Sequence, residues 1–160
     1  MDLILWRHAE AHEHPDLLLG RQGDAKDLAR RLTPRGEKQA VRMAGWLDRQ
    51  LPAAARVLTS PAQRAEQTAL ALGRKYKVRE ELAPDGDPLA LLELVKWPFG
   101  KSPVVVVGHQ PTLGQVVARL LGLAEEGCPV RKGAIWWLRY RERDGGAQTV
   151  LVTVQTPELL

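Results

Sequence analysis

PVVVVGHQP, residues 103–111, is the stretch of sequence that decides the fold. Its four valines are too uniformly apolar for a strand that has one face in water, so we predict a strand that is buried on both faces. Strands of this kind belong to mostly parallel sheets that helices cover on both sides. Gly108 and His109 follow the valines directly, so the carboxyl end of this strand delivers a histidine.

Strand and helix signals alternate along the rest of the chain. Further strands are predicted from apolar runs at Leu3–Trp6, Arg56–Thr59 and Lys77–Arg79. Helices are predicted from Thr33-Pro34 to about Gln50, from a capping box at Ser60-Pro61-Ala62-Gln63, from Asp87-Pro88 to about Lys96, and after Pro111. Strands at residues 134–140 and 149–154 flank the turn signal Asp144-Gly145-Gly146 and predict an antiparallel hairpin.

The order of these elements predicts an α/β fold. We expect three layers, with a mostly parallel sheet flanked by helices and with an antiparallel hairpin at the C-terminus. The chain has 160 residues, a length that suits one domain spanning residues 1–160. The stretch from Glu10 to Arg30 is longer than an ordinary connection and is therefore a candidate for a functional loop.

The composition of the chain excludes several classes of protein. The single cysteine, Cys128, excludes an intramolecular disulfide, and Arg7 interrupts the N-terminal apolar run long before it could span a membrane. We therefore expect a cytoplasmic protein that has no membrane partner and is a monomer or a weak dimer. The net charge of +4 comes from basic residues scattered along the chain, with no nucleic-acid-binding motif, so no nucleic-acid partner is expected.

The side chains that can carry chemistry follow three of the predicted strands. The first strand ends in Arg7-His8, the second leads through Ser60 to Arg64, and the valine strand leads to His109. Ligands of open α/β sheets bind beyond the carboxyl ends of the strands, so these side chains are expected to share one crevice. Guanidinium groups pair with phosphoryl oxygens, and a neutral imidazole can act as a nucleophile. One histidine would attack phosphorus, and the other, held protonated among phosphate oxygens, would stabilise charge.

The same residues lie in stretches that resemble the histidine phosphatase superfamily, which also contains the cofactor-dependent phosphoglycerate mutases. Among small members of that family, the chain is most similar to the SixA-type phosphohistidine phosphatases. The matching stretches are LWRHAEA at residues 5–11, RRLTPRG at 30–36, LTSP at 58–61, RAEQT at 64–68, ELAPDGD at 81–87 and VGHQP at 107–111. They are spread over positions 3 to about 121, which is nearly all of the predicted α/β part of the chain.

This resemblance implies a phosphoglycerate mutase-like fold and a two-step reaction that uses neither a cofactor nor a metal. It implies that His8 accepts the phosphoryl group and that Arg7, Arg64 and His109 bind the phosphate. It also implies that Arg30, which precedes Leu-Thr in the RRLT stretch, contacts the phosphate or a partner protein.

Two positions stand apart from the family pattern. Ala9 replaces the glycine of the family signature Arg-His-Gly, and we expect it to be tolerated unless this position requires a positive φ. Glu81 is the positional candidate for the glutamate with which larger family members protonate a leaving oxygen, although the sequence after it is not the mutase pattern. A phosphohistidine substrate needs less help from an acid, because imidazole can depart in its protonated form.

These residues are compatible with several functions. We expect a phosphohistidine phosphatase that acts on a phosphohistidine-bearing protein through a phospho-His8 intermediate. The alternatives are a phosphomonoesterase for a small phosphorylated substrate at the same site, and a catalytically silent phosphate-binding module. His12 and His14 could instead join His8 as metal ligands, but Pro15 indicates an irregular loop with poor ligand spacing, so no metal site is expected.

Overall fold

A six-stranded sheet forms the centre of the computed structural model, which describes residues 1–160. The strands are β1 (Asp2–Arg7), β2 (Arg56–Thr59), β3 (Lys77–Val78), β4 (Val104–Gly108), β5 (Ile135–Arg143) and β6 (Gly146–Gln155). Their order across the sheet is β3-β2-β4-β1-β5-β6. The first four strands are parallel to one another, β5 is antiparallel to β1, and β6 is antiparallel to β5. The predicted sheet with its C-terminal hairpin is therefore confirmed.

Five helices lie between the successive strands from β1 to β5. They are α1 (Ala25–Leu28), α2 (Pro34–Gln50), α3 (Gln63–Leu70), α4 (Pro88–Leu94) and α5 (Thr112–Leu121), with 3₁₀ turns at Glu80–Leu82 and Pro157–Leu159. None of these helices combines the length and the apolar character that a membrane crossing requires.

Alternate residues of the central strands face two separate hydrophobic cores. In β1, Leu3 and Leu5 pack into the core that α4 and α5 contribute to, whereas Ile4 and Trp6 pack into the core on the side of α2 and α3. All four side chains are fully buried, and the valines of β4 are divided in the same way. The sheet is therefore the middle layer of three, which explains why its central strands have no polar face.

The start of α3 differs from the sequence prediction. The helix begins at Gln63, without a side-chain cap, and not at Pro61 as the capping box predicted. The Ser60 hydroxyl, the predicted cap, accepts the Ala62 N–H at 3.1 Å and also faces the His109 ring. Ser60 therefore forms a tight turn at the strand end, which leaves its oxygen available to the histidine that follows β4.

The first turn of α2 lies against the chain segment that follows β1. The Thr33 hydroxyl oxygen accepts the Gly36 N–H at 3.0 Å, as predicted for a helix N-cap, and the same hydroxyl donates to the Glu10 carboxylate at 2.7 Å. A Cβ atom at Gly36 would collide with the Glu10 carbonyl oxygen, so only glycine fits this approach. Because Glu10 lies two residues after His8, this contact fixes the course of the chain beyond that histidine.

Two alanine substitutions in α2 are expected to have opposite effects on stability. Gly36→Ala forces the helix away from Glu10 and is expected to lower the free energy of unfolding by about 1–3 kcal/mol, as for other overpacked sites. Gly45→Ala, on the exposed face of the same helix with no atom closer than 3.8 Å to the added Cβ, is expected to raise it by about 0.5–1 kcal/mol. Urea unfolding of both variants measures the difference; equal effects would contradict the close approach.

Candidate active site

The carboxyl ends of β1, β2 and β4 meet at one small cavity. The cavity has a volume of ≈ 90 Å³. It is lined by Arg7, His8, Ala11, Gln22, Arg30, Arg64, His109, Gln110 and Lys132. The five residues that the sequence suggested for phosphoryl chemistry at the strand ends and in the RRLT stretch are therefore brought together, although they are separated by up to about a hundred positions in the chain.

The parallel pairing of β1 with β4 brings the two histidines side by side. Arg7 lies opposite Gly108 in the sheet, and the His8 N–H donates to the Gly108 carbonyl at 3.2 Å. His8 and His109 then leave the sheet as neighbours, with 5.2 Å between their ring centres. Both side chains are buried.

His8 is held in one tautomer by the backbone. Its Nδ1 lies 2.8 Å from the Ala9 carbonyl oxygen, which can only accept, so Nδ1 carries the proton and Nε2 keeps its lone pair. Burial lowers the pKa of His8 well below its ordinary value, and the adjacent His109, Arg64 and Arg7 lower it further. The ring is therefore neutral at neutral pH, with an unprotonated nitrogen available as a nucleophile.

His109 is also neutral; the protonated state predicted for it applies when phosphate oxygens surround its ring. Burial and the cationic groups of Arg64, Arg7 and Arg30 lower its pKa to about 3. Arg64 can only donate, so the 3.4 Å contact of its Nη2 with Nδ1 of His109 makes Nδ1 the acceptor. His109 Nε2 then donates to the Ser60 hydroxyl oxygen at 2.7 Å. A bound phosphoryl dianion would offset the arginine charges and favour protonation.

Asp27 organises the arginines of the cavity. Its backbone carbonyl accepts Nη1 of Arg64 at 2.7 Å, and its carboxylate accepts Nη2 of Arg64 at 3.2 Å and Nε of Arg30 at 3.0 Å. Burial acts to raise the pKa of Asp27, but the Gly23 N–H and the two guanidinium groups outweigh it and keep the pKa low. The ionised carboxylate therefore holds two phosphate-binding candidates in place.

Sequence reasoning missed Asp27 because the stretch from Glu10 to Arg30 was expected to be irregular. The structure forms one helical turn there, α1, with the Asp24 carboxylate accepting the Asp27 N–H at 2.7 Å as an N-cap. The spacing of Asp27 and Arg30, three residues apart in a helical turn, was the available signal.

Positive charge exceeds negative charge at the cavity. Arg7 binds the Val130 carbonyl through Nη1 at 2.9 Å and pairs with no carboxylate, and burial lowers the pKa of this guanidinium. The Nε–H groups of Arg7 and Arg64 are buried without a partner. Three arginines around one carboxylate leave a net positive site, which attracts a doubly charged anion such as a phosphoryl group.

Comparison with known proteins identifies the family of this chain. Residues 3–85 match the family model of the histidine phosphatase superfamily, branch 1. The chain belongs to the histidine phosphatase superfamily. It is a hydrolase of the phosphatase class, and its fold is the phosphoglycerate mutase-like fold of that family.

The chain aligns with similar histidine phosphatases over most of its length. The chain is 32% identical over 138 residues to the phosphohistidine phosphatase SixA homolog of Haemophilus influenzae, covering 76% of this chain and 78% of the relative. It is 38% identical over 114 residues to phosphohistidine phosphatase SixA of Escherichia coli, covering 62% and 70% of the two chains. A solved structure of the protein histidine phosphatase SixA complexed with tungstate superposes with a TM-score of 0.73 at 29% identity, covering 99% of both chains.

Ala9 fits the histidine phosphatase fold without strain. Its backbone is not in the left-handed region, and its N–H donates to the Thr68 hydroxyl oxygen at 3.1 Å. The condition under which alanine would be strained at this signature position, a positive φ, is therefore not met.

Glu81 and the two loop histidines lie outside the cavity. The Glu81 carboxylate accepts Nη2 of Arg79 at 2.8 Å, and its own backbone N–H and this ion pair lower its pKa. A general acid needs a raised pKa and a place beside the leaving group, so the arrangement of Glu81 does not match the acid role predicted for it. His14 bonds to the Asp24 carboxylate at 2.9 Å and not to a ligand set with His8 and His12.

Asp27→Asn tests the buried carboxylate. The substitution leaves Arg64, which is 1% exposed, without its counter-charge, so we expect a loss of about 3 kcal/mol in the free energy of unfolding. Asp16→Asn removes the partner of Lys26 in an exposed ion pair of the same loop and is expected to have a much smaller effect. Similar losses in urea unfolding of the two variants would contradict the role of Asp27.

The pH dependence of stability follows from the lowered pKa values. An unfolded histidine binds a proton near pH 6.5, whereas folded His109 does so at a pKa of about 3, so the unfolded state binds more protons between these values. The free energy of unfolding therefore falls as the pH falls through this window, by up to about 1.4 kcal/mol per pH unit for each such histidine. We expect His109→Gln to be less sensitive than the parent chain in urea unfolding at about pH 7.5 and about pH 5, where few carboxylates titrate. An unchanged pH dependence would contradict this assignment.

Proposed function

We propose that this chain removes phosphoryl groups from phosphohistidine in proteins through a covalent phospho-His8 intermediate. The observation that carries the proposal is the unprotonated Nε2 of His8 in a buried cavity lined by Arg7, Arg30 and Arg64. A nucleophile and a cationic binding site for its target are the two elements that phosphoryl transfer requires.

In the proposed first step, the Nε2 lone pair of His8 attacks phosphorus. The new N–P bond forms as the P–N bond to the substrate imidazole breaks. That imidazole has already taken a proton from solvent on its other ring nitrogen, so it departs with the electrons of the broken bond as a neutral, intact histidine side chain. Arg7, Arg64 and Arg30 hold the equatorial phosphoryl oxygens, whose negative charge also favours a proton on His109. The hydrogen bond from Nδ1 to the Ala9 carbonyl stabilises the positive charge that develops on the His8 ring.

In the proposed second step, water attacks phospho-His8. The P–N bond to Nε2 breaks, inorganic phosphate leaves, and the water proton passes to solvent or to phosphate. The His8 lone pair is restored, so one phosphoryl group is hydrolysed in each cycle. Every part of this scheme is supplied by side chains of the chain itself, by the substrate and by water.

The leaving group favours phosphohistidine over a phosphate ester. An alkoxide leaving group needs a proton from an acid, and the candidate for that role, Glu81, is ionised and paired with Arg79. An imidazole leaving group carries its own protonation site and leaves without such an acid. The similarity to the SixA proteins of Haemophilus influenzae and Escherichia coli, which are phosphohistidine phosphatases, supports the same substrate class.

His8→Ala and Glu81→Gln are expected to separate the nucleophile from the doubtful acid. His8→Ala removes the only proposed phosphoryl acceptor, so turnover of a phosphohistidine protein is expected to fall by roughly 10³-fold or more. Labelling with ³²P-phosphorylated substrate is expected to give an alkali-stable, acid-labile phosphoenzyme only when His8 is present. Glu81→Gln is expected to retain turnover within about twofold, because imidazole leaves without an acid.

Two results would overturn the proposal. Full turnover by His8→Ala would exclude a covalent phospho-His8 intermediate. A strong preference of the parent chain for sugar phosphates over phosphohistidine protein, accompanied by a large loss in Glu81→Gln, would assign the chain to small phosphomonoesters.

A further inference from the structure

Three consecutive leucines are exposed in the loop that leads to the cavity. Leu17, Leu18 and Leu19 are 69%, 96% and 87% exposed. We refer to these three residues as the leucine tip. Single exposed leucines are ordinary on protein surfaces, but a contiguous exposed apolar group is typical of an interaction site.

The leucine tip is held in place by polar contacts at its base. The N–H groups of Leu19 and Gly20 donate to the Asp16 carbonyl at 3.2 and 2.6 Å, and the Asp16 carboxylate accepts Nζ of Lys26 at 2.7 Å. Gly20 lies so close to the His14 ring that a Cβ atom would collide with it. The tip is therefore an ordered turn whose backbone is anchored while its side chains project into solvent.

The leucine tip is continuous with the candidate active site. Gln22 lines the cavity and follows Leu19 by three residues, a distance of at most about 11 Å along the chain. The same loop then supplies Asp27 and Arg30 to the cavity. A molecule bound at the cavity mouth that extends beyond it in this direction reaches the tip.

The dimensions of the cavity require the remainder of the substrate to lie on its rim. A volume of ≈ 90 Å³ suits a phosphoryl group and little more, and His8 at the cavity is 6% exposed. A histidine side chain is short, so the backbone of a phosphohistidine protein must approach the mouth closely to deliver its phosphoryl group. Lys132, exposed at the mouth and in no ion pair, presents a cation to the same approaching surface.

We infer that the leucine tip is the docking surface for the phosphohistidine-bearing substrate protein, and that it packs against an apolar patch beside the phosphohistidine of that protein. This inference rests on the proposed function. The phosphoryl group supplies chemistry that is common to all substrates of the site, whereas the tip distinguishes a protein that bears phosphohistidine from the free amino acid. The tip therefore contributes to binding of the protein and not to the chemical step.

Kinetics on two substrates test the inference. The first substrate is a histidine-containing phosphotransfer domain phosphorylated with phosphoramidate, and the second is free phosphohistidine. Leu17→Ser, Leu18→Ser and Leu19→Ser combined are expected to raise KM for the domain about tenfold or more, with kcat unchanged, because buried apolar anchors dominate interface energies. The kcat/KM for free phosphohistidine is expected to stay the same, which also shows that the variant is folded.

A matched control removes apolar side chains elsewhere. Leu70 and Phe99 are 64% and 75% exposed, and Phe99 lies near Met1 at the opposite end of β1 from the cavity. Leu70→Ser combined with Phe99→Ser is expected to leave KM for the domain unchanged. An equal rise in KM for both sets of variants would overturn the inference, since it would show that replacing exposed apolar side chains by serine weakens binding wherever they lie.

The remaining outcomes separate failure of the docking surface from failure of the proposed function. Turnover of the phosphorylated domain with the same KM in the parent chain and in the leucine variant overturns the docking surface alone. Loss of a dimer in light scattering, or of binding to anionic lipid vesicles, with KM unchanged would assign the tip to a second copy or to a membrane surface. A parent chain that hydrolyses free phosphohistidine but not the phosphorylated domain overturns the protein substrate and the docking surface together.

Discussion

The parallel pairing between β1 and β4 is the interaction on which the candidate site depends. Ladder hydrogen bonds hold Arg7 opposite Gly108, so the two strands end at the same level and release His8 and His109 as neighbours. Both strands are buried on both faces, and a one-residue slip would exchange every side chain between the two cores. The hydrophobic cores therefore stabilise a specific register, and that register sets the distance between the two imidazoles.

The electrostatics of the cavity follow from burying several cations next to those imidazoles. Arg30 and Arg64 share a single carboxylate, that of Asp27, and Arg7 has none, so positive charge is in surplus; burial together with this surplus lowers the pKa of both histidines and keeps them neutral. The same surplus attracts a phosphoryl dianion. One set of charges thus keeps the His8 lone pair available and concentrates the electrophile beside it, while Asp27 limits the cost of burying two of the guanidinium groups.

The loop from Glu10 to Arg30 joins the candidate active site to the protein surface. Its C-terminal part forms α1, which delivers Asp27, and its middle part presents the leucine tip on a backbone anchored at Asp16. The sheet carries His8 and His109, and a separate loop carries the leucine tip that we propose as the docking surface. This division allows substrate recognition to change without moving His8.

The sequence by itself determined the layers of the fold and the residues at the strand ends, because continuous apolar runs and the residues that follow them are local properties of the chain. The valines of β4 and the positions of His8, Arg64 and His109 were identified in this way. Tertiary structure decided the role of Asp27 and the start of α3, where the Ser60 hydroxyl faces His109. Both depend on which polar groups meet across the fold. Both imidazoles are neutral because of burial and of the charges of neighbouring residues, and no local pattern of the sequence contains this information.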